Sequence, residues 1–530
     1  MNVSMFRWAV VCSGCVSLAA QVPYERILQS GKEPGQWLTY SGGYSSHRHS
    51  SLDQVNTGNV GKLRLKWAHQ MKSLQKLETT PLVVDGIMYA TQPPSDVVAL
   101  DAETGRPFWT YRRRLPEKIN VCCGAVNRGV AMLGGQLFVG TVDAHLVALD
   151  ARTGNVLWDV PIENPQTGYS ITVAPLALKD KIIVGIAGGE YGIRGFLDAY
   201  DPKTGKRLWR FWTVPGPGEK GNESWSGDSW KRGGAPTWVT GSYDPELNLI
   251  YWGTGNPSPD WNGDVRIGDN LYSSSVIAVD AGTGELRWHF QFTPHDVHDF
   301  DSVQVPVLAD AEWQGKPRKL MYFANRNGFY YVLDRITGEY LLGKPFVHVT
   351  WAEGLDDKGR PIRVPGMEPS RQGTKVYPGV QGGTNWYSPS LHPGTGWLYL
   401  SVWEYASMYY IGDAEYSPGN RFLGSAPVGV PDDPGRGAIR ALDPKTGQQQ
   451  WEYKLHGFPQ AGVLSTAGNV VFGGNDDGYF FALGARDGKE LWRIHLGGVV
   501  AAGPITYLSR GRQLVTIAAG NSLFTFGLEE

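Results

Sequence analysis

Short apolar runs that end on aspartate recur along this chain, each followed by two residues, Thr-Gly, three residues and tryptophan. The series reads VVALDAETGRPFW to Trp109, LVALDARTGNVLW to Trp158, LDAYDPKTGKRLW to Trp209 and VIAVDAGTGELRW to Trp288. It continues as YYVLDRITGEYLL, with Leu342 in the tryptophan place, then IRALDPKTGQQQW to Trp451 and FFALGARDGKELW to Trp492. A degenerate copy, VNTGNVGKLRLKW, ends at Trp67. Further alternating runs, such as PLVVDGIMYATQ and GQLFVGTV, lie between the copies. Apolar runs this short, bounded by Asp and Gly, predict strands. The Asp-x-x-Thr-Gly unit predicts a tight turn in which glycine supplies the unusual backbone angles, and the tryptophan predicts an anchor against the neighbouring unit. Four short strands per unit, in eight copies, predict an all-β, eight-bladed β-propeller. Units of roughly 40–80 residues are too long and uneven for a β-solenoid. The insertions at 213–237 and 350–384 are expected to be loops on one face.

Composition changes this picture little. Hydrophobic residues make up 41% and charged residues 19%, which suits a packed core and excludes a disordered chain. A formal net charge of -2 gives no reason to expect nucleic acid or an anionic membrane as partner. Arg112-Arg113-Arg114 reads as a solvated face. At the N-terminus, Arg7 precedes an uncharged stretch from Trp8 to Tyr24, with small residues around Ser17-Leu18-Ala19-Ala20. Residues 1–20 therefore read as a cleaved signal peptide and 21–530 as one propeller domain. No later stretch is apolar enough for a membrane span. Export to the periplasm implies an oxidising compartment.

The candidate chemistry begins at Cys122-Cys123, in NVCCGAVNRG. Adjacent Cα atoms lie about 3.8 Å apart, whereas an ordinary disulfide spans roughly 4.4–6.8 Å. Bridging the pair would close a strained ring; two reduced, buried thiols are the plainer alternative, and both readings stand at this point. His295 and His298, near Asp296 and Asp299, suggest a zinc reading, but no third His or Cys ligand lies near them in sequence. His47 and His49 read as part of an ordinary polar turn.

Blades of this kind joined to vicinal cysteines resemble the quinoprotein alcohol dehydrogenases, which use pyrroloquinoline quinone (PQQ). The resemblance runs from about Trp37 to Phe526, and it implies roles residue by residue. Cys122 and Cys123 would form a disulfide ring on one face of PQQ, with Trp238 in GGAPTW on the other. Glu78, Arg128 and Thr172 would hold its polar edge, together with Asn385 in GGTNW and the backbone at Gly188-Gly189. Glu190 and Asn256 match metal ligands, and Asp299 in PHDVHDFD matches a ligand that is also the catalytic base. Arg326 matches the arginine at the reactive quinone oxygens, and Trp261, set off by one inserted residue, Asp260, resembles a tryptophan roofing the substrate pocket. Two departures stand out. His298 replaces the tryptophan common before the catalytic Asp, and the last blade lacks a tryptophan often found there.

In the same family, an aspartate at the position of Asp301 marks the lanthanide-type enzymes. Residues two apart on a strand share a side, so Asp301 would join Glu190, Asn256 and Asp299 in an all-oxygen, three-carboxylate site. Such a site favours a lanthanide(III) ion over Ca²⁺. The activity implied is oxidation of a primary alcohol to an aldehyde, with Asp299 removing the hydroxyl proton and hydride passing to PQQ C5. With no haem-attachment motif, a separate cytochrome c is the expected electron acceptor. A homodimer is left open, as is the preferred alcohol. Trp386, Tyr387, Trp403 and Tyr405 fit either a pocket lining or blade packing. The competing readings are a PQQ sugar or polyol dehydrogenase and a non-catalytic propeller scaffold of the outer-membrane assembly type.

Overall fold

Each Asp-x-x-Thr-Gly unit closes a tight turn by its own side chain. In the first, Asp101 Oδ1 accepts from the backbone N–H groups of Glu103 and Thr104, both at 2.9 Å, and Gly105 N–H donates to Asp101 O at 2.8 Å. Gly105 sits at φ +72, a left-handed conformation that other residues enter at a cost. The turn joins the buried third strand of a sheet to a half-exposed fourth. In the computed structural model, which describes residues 21–529, seven four-stranded sheets and one five-stranded sheet follow one another in an all-β propeller. The proposed signal peptide lies outside the described residues. Among the described residues, no helix is long and apolar enough to cross a membrane.

Tryptophan ties each unit to the next. Trp109 donates its indole N–H to Ala151 O, one residue past the aspartate of the following unit, at 3.2 Å. Its ring lies on Gly154, where an added Cβ would stand 2.5 Å from Cε3. The same pair of contacts recurs for Trp67 with Ala102 and Gly105, Trp158 with Pro202 and Gly205, and Trp209 with Ala281 and Gly284. Trp288 does this with Arg335 and Gly338, and Trp451 with Ala485 and Gly488. Where Leu342 replaces the tryptophan, Tyr330 Oη donates to Pro444 O at 2.8 Å; tyrosine hydroxyls reach the equivalent carbonyl beside Trp67, Trp109, Trp288 and Trp451 too.

The ring closes through its two ends. Strand Leu63–Gln70 pairs antiparallel with Ser522–Leu528 and completes the sheet begun by Ile505–Ser509 and Arg512–Ala519. Ahead of it, residues 22–50 visit the inner strand, or its flank, in all eight of these sheets. Val22 bonds Gly134 and Trp37 bonds Val83; Tyr44 Oη reaches Ala177 O, and Tyr44 O accepts from Tyr243 N. Ser45 O, His47 O and Arg48 O then accept from Leu308 N, Leu391 N and Ser465 N in turn. The Arg48 guanidinium, fully buried, donates to Tyr40 O and Pro504 O. His47 and His49 therefore belong to this hub and not to a simple polar turn. His47 Nε2 meets Leu308 O, and His49 Nδ1 meets Ser465 Oγ.

Two further expectations are corrected. Arg113 is not solvated: it donates to Asp143 and Asp159 of the next sheet, with 9% of its side chain exposed, while Arg112 and Arg114 face out. The 350–384 insertion is not all loop. It forms the hairpin Ala352–Leu355/Pro361–Arg363 and a strand, Thr374–Val376, that pairs with Ser407–Tyr409. The 213–237 insertion carries only short 3-10 turns.

The glycine contact yields a test. Gly154→Ala puts a methyl into the Trp109 ring at a left-handed φ of +74, whereas Gly134→Ala, at φ +60, meets open space. Gly134→Ala should cost about 1–2 kcal/mol from backbone conformation alone, and Gly154→Ala about 1–3 kcal/mol more from overpacking. Parallel denaturant titrations of the two variants measure the difference. Equal losses would mean that the tryptophan contact is unimportant.

Candidate active site

Antiparallel strands bring two sets of loops to one face of the ring: those entering the innermost strands and those leaving the second strands. The first set carries Glu78, Cys122 to Arg128, Thr172, Trp238, Asp299, Asp301 and Asn385. The second carries 188–190, Asn256 and Arg326. Between them lies a cavity of about 370 Å³. Its walls include Glu78, Cys122, Cys123, Arg128, Thr172, Gly188, Glu190, Trp238, Asp299, Asp301, Arg326 and Asn385, all expected from sequence. Asn256 lies just behind the wall, with its backbone N–H on Asp301 Oδ1 at 2.8 Å. Gly189 is buried beside it, and a Cβ there would stand 3.9 Å from Asn256 Oδ1. Trp261 is buried in an apolar cluster with Tyr251 and Phe300 and does not line the cavity.

Cys122 and Cys123 are bridged, with Sγ atoms 2.27 Å apart. A carboxylate oxygen of Glu190 and the two sulfurs all lie within 4.8 Å of one another. Disulfide sulfurs are not thiolates, so this trio is a contact and not a metal site. Glu190 is presented by the turn Gly189–Tyr191. Gly188 precedes it at φ +119, where a Cβ would meet Gly168 O at 2.1 Å. Only glycine fits there.

Arg326 organises the opposite wall. It donates to Asp301 Oδ2 at 2.6 Å and to Asp299 Oδ2 at 3.0 Å, while its Nε donates to Val380 O. Asp299 occupies φ +62, a strained conformation for an aspartate. Asp296, which sequence reasoning passed over, holds it there: its carboxylate accepts from His298 N and Phe300 N, on either side of Asp299. Burial pushes the Asp299 carboxyl well above its usual range; Arg326 opposes this, and Asp301, Asp260 and Asp296 add to it. Asp301 and Glu190 are also raised, chiefly by burial. Burial works against the Arg326 charge, but Asp299 and Asp301 outweigh it and hold the guanidinium firmly protonated.

The far end of the cavity is cationic. Arg128 donates to Thr172 Oγ1 at 3.1 Å and pairs with Glu78 at 2.7 Å, and Lys76 reaches the same carboxylate at 3.2 Å. Buried Arg128 Nε has no partner, and the guanidinium stands 4.9 Å from the Trp238 ring centre and 4.5 Å from that of Trp386. A half-buried indole, a disulfide, unspent guanidinium donors and buried carboxylates suit a flat, anionic, apolar-faced cofactor with a hard cation beside it. Trp386, Tyr387 and Trp403 line the cavity; Tyr405 packs behind them. Lys76, Ser170, Gln381 and Gln460 line it too and were not foreseen. For Lys76 a signal existed, since it sits two residues from Glu78 in an extended segment.

His298 is buried against Phe300 and Tyr409, with Nε2 on Met367 O, and its pKa is lowered to about 3 by burial. His295 Nδ1 is likewise committed to Gly268 O. Neither joins a group of three close-set ligand atoms among the described residues.

Comparisons agree with this geometry. A family described as glucose/ethanol/alcohol dehydrogenase, beta-propeller domain, matches residues 37–349, and one described as outer membrane protein assembly factor BamB matches 435–526. The quinoprotein alcohol dehydrogenase PedH of Pseudomonas putida is 40% identical over 545 residues, covering 98% of this chain and 91% of that protein. A europium-containing methanol dehydrogenase superposes with a TM-score of 0.90 at 33% identity, over 95% of this chain and 100% of the other. BamB from Moraxella catarrhalis, at 15% identity and a TM-score of 0.50 over 88% and 99% of the two chains, shares only the fold.

Proposed function

This chain belongs to the PQQ-dependent quinoprotein alcohol dehydrogenases, and we propose that it oxidises a primary alcohol to an aldehyde with Asp299 as the base. One observation carries the assignment: a strained aspartate, paired with the Arg326 guanidinium, lines a single cavity together with the vicinal disulfide and the Trp238 indole. When bound, PQQ supplies the acceptor for the hydride and the cation polarises it. Trp238 and the Cys122–Cys123 bridge offer the flat walls, and Arg128, Lys76 and Thr172 the donors for carboxylates. The alcohol hydroxyl proton goes to a carboxylate oxygen of Asp299. Burial raises the affinity of that oxygen for a proton and Arg326 opposes the rise; a base poised nearer the working pH is the more effective one.

The eight sheets are taken as eight blades around this site. Glu190, Asn256, Asp299 and Asp301 are proposed to hold the metal. A cation there competes with Arg326 for Asp299 and Asp301, and three carboxylates favour a lanthanide(III) ion over Ca²⁺. Secretion into the periplasm behind a cleaved signal peptide and reoxidation by a separate cytochrome c complete the proposal. The scaffold reading accounts for the blades alone. It leaves a lined cavity with four buried acidic groups unexplained.

Asp299→Asn should retain PQQ, seen in its absorption spectrum, yet lose roughly 10²–10⁴-fold in turnover in a dye-linked alcohol assay. Turnover close to wild type would remove Asp299 from the role. Asp301→Ala should lose La³⁺-supported activity while keeping more of whatever Ca²⁺ supports. If both proteins work equally well with either ion, the lanthanide assignment is wrong.

A further inference from the structure

We propose that Asp260 adds a fourth carboxylate to the cation site, strengthening its preference for a trivalent ion. This rests on the metal site assigned above and extends it to a residue that no motif match supplied. Asp260 is an extra residue between Asn256 and Trp261 in GNPSPDWNGD, the segment that leaves the second strand of its sheet at the cavity. It is 2% exposed, and its Oδ1 has no hydrogen-bond partner.

Two facts place that carboxylate beside the site. Ser258 Oγ donates to Gly189 O, which holds this segment against the turn that presents Glu190. Burial, with the nearby charges of Glu190 and Asp301, raises the Asp260 carboxyl well above its usual range. Meanwhile the closest buried cation on the same segment, Arg266, spends its donors elsewhere. It donates to Pro259 O, Asp260 O, Asp296 O and Asn270 Oδ1, and none of these bonds reaches the Asp260 carboxylate. Arg266 thus pins the backbone at 259–260 to the loop carrying Asp296 without bonding the Asp260 carboxylate. Of the four carboxylates, Glu190, Asp260, Asp299 and Asp301, the last two are paired with Arg326. Attraction grows with ionic charge, so removing one carboxylate costs a trivalent ion more than a divalent one.

The test is binding, not turnover. PQQ-loaded wild type and Asp260→Asn are dialysed to equilibrium against La³⁺ or Ca²⁺, and bound metal is counted by mass spectrometry. Asp260→Asn should weaken La³⁺ at least tenfold and Ca²⁺ by a smaller factor. Equal La³⁺ affinity in the two proteins, or an equal loss for both ions, overturns the role of Asp260 while leaving the metal site intact. Failure of wild type to bind either ion instead overturns the site itself. Should Asp260→Asn not unfold cooperatively, Asp260→Ser, which also removes the charge, serves the same comparison.

Discussion

A tryptophan lying on a glycine sets the architecture. At six of the repeats the ring occupies the space where a Cβ would project from the next turn, and its N–H reaches the carbonyl at the start of that turn. Both contacts are short and directional, so consecutive sheets meet at one repeated spacing and angle. The cavity depends on this repetition. Residues as far apart in sequence as Glu78 and Asn385 line one wall because each occupies the equivalent loop of its own unit. At Leu342 the indole is absent, and Tyr330 still reaches the equivalent carbonyl, as Tyr89, Tyr251, Tyr399 and Tyr507 do beside the tryptophans of other units.

Within the cavity, charge is distributed unevenly. One end gathers Arg128 and Lys76 around a single glutamate; the other holds Glu190, Asp299 and Asp301, the last two paired with Arg326. Buried carboxylates without enough partners take up protons more readily, and these are raised accordingly. That imbalance carries a folding cost, and it also suits the region to a hard cation. The aromatic wall and the disulfide provide a different surface, flat and weakly polar, between the two charged ends.

Local chemistry was legible in the sequence and distant pairing was not. Asp, Thr-Gly and Trp act over a dozen residues, so their spacing alone describes the turn and the strand after it. The site motifs were legible for the same reason: Gly188 to Glu190 and Asp296 to Asp301 are loops shaped by their own backbone and side chains. Arg113 was misread because its carboxylate partners sit in the next sheet. The strand at Thr374–Val376 was hidden because its partner, Ser407–Tyr409, lies some thirty residues on. Asp260 was visible as an insertion, yet nothing in the primary structure reveals that one of its oxygens is buried without a partner.

The hub formed by residues 22–50 has a consequence for how the molecule comes into being. This stretch is made before most of the strands on which its hydrogen bonds end, which are spread through the rest of the chain. The strand at Leu63–Gln70 must likewise wait for Ser522–Leu528. Native pairing of this kind closes very long loops, a topology associated with slow folding. A segment made ahead of its partners is therefore among the last to find its place. Until it does, the growing ring presents an open edge and an uncorked axis, the stage at which a chaperone would have most to protect.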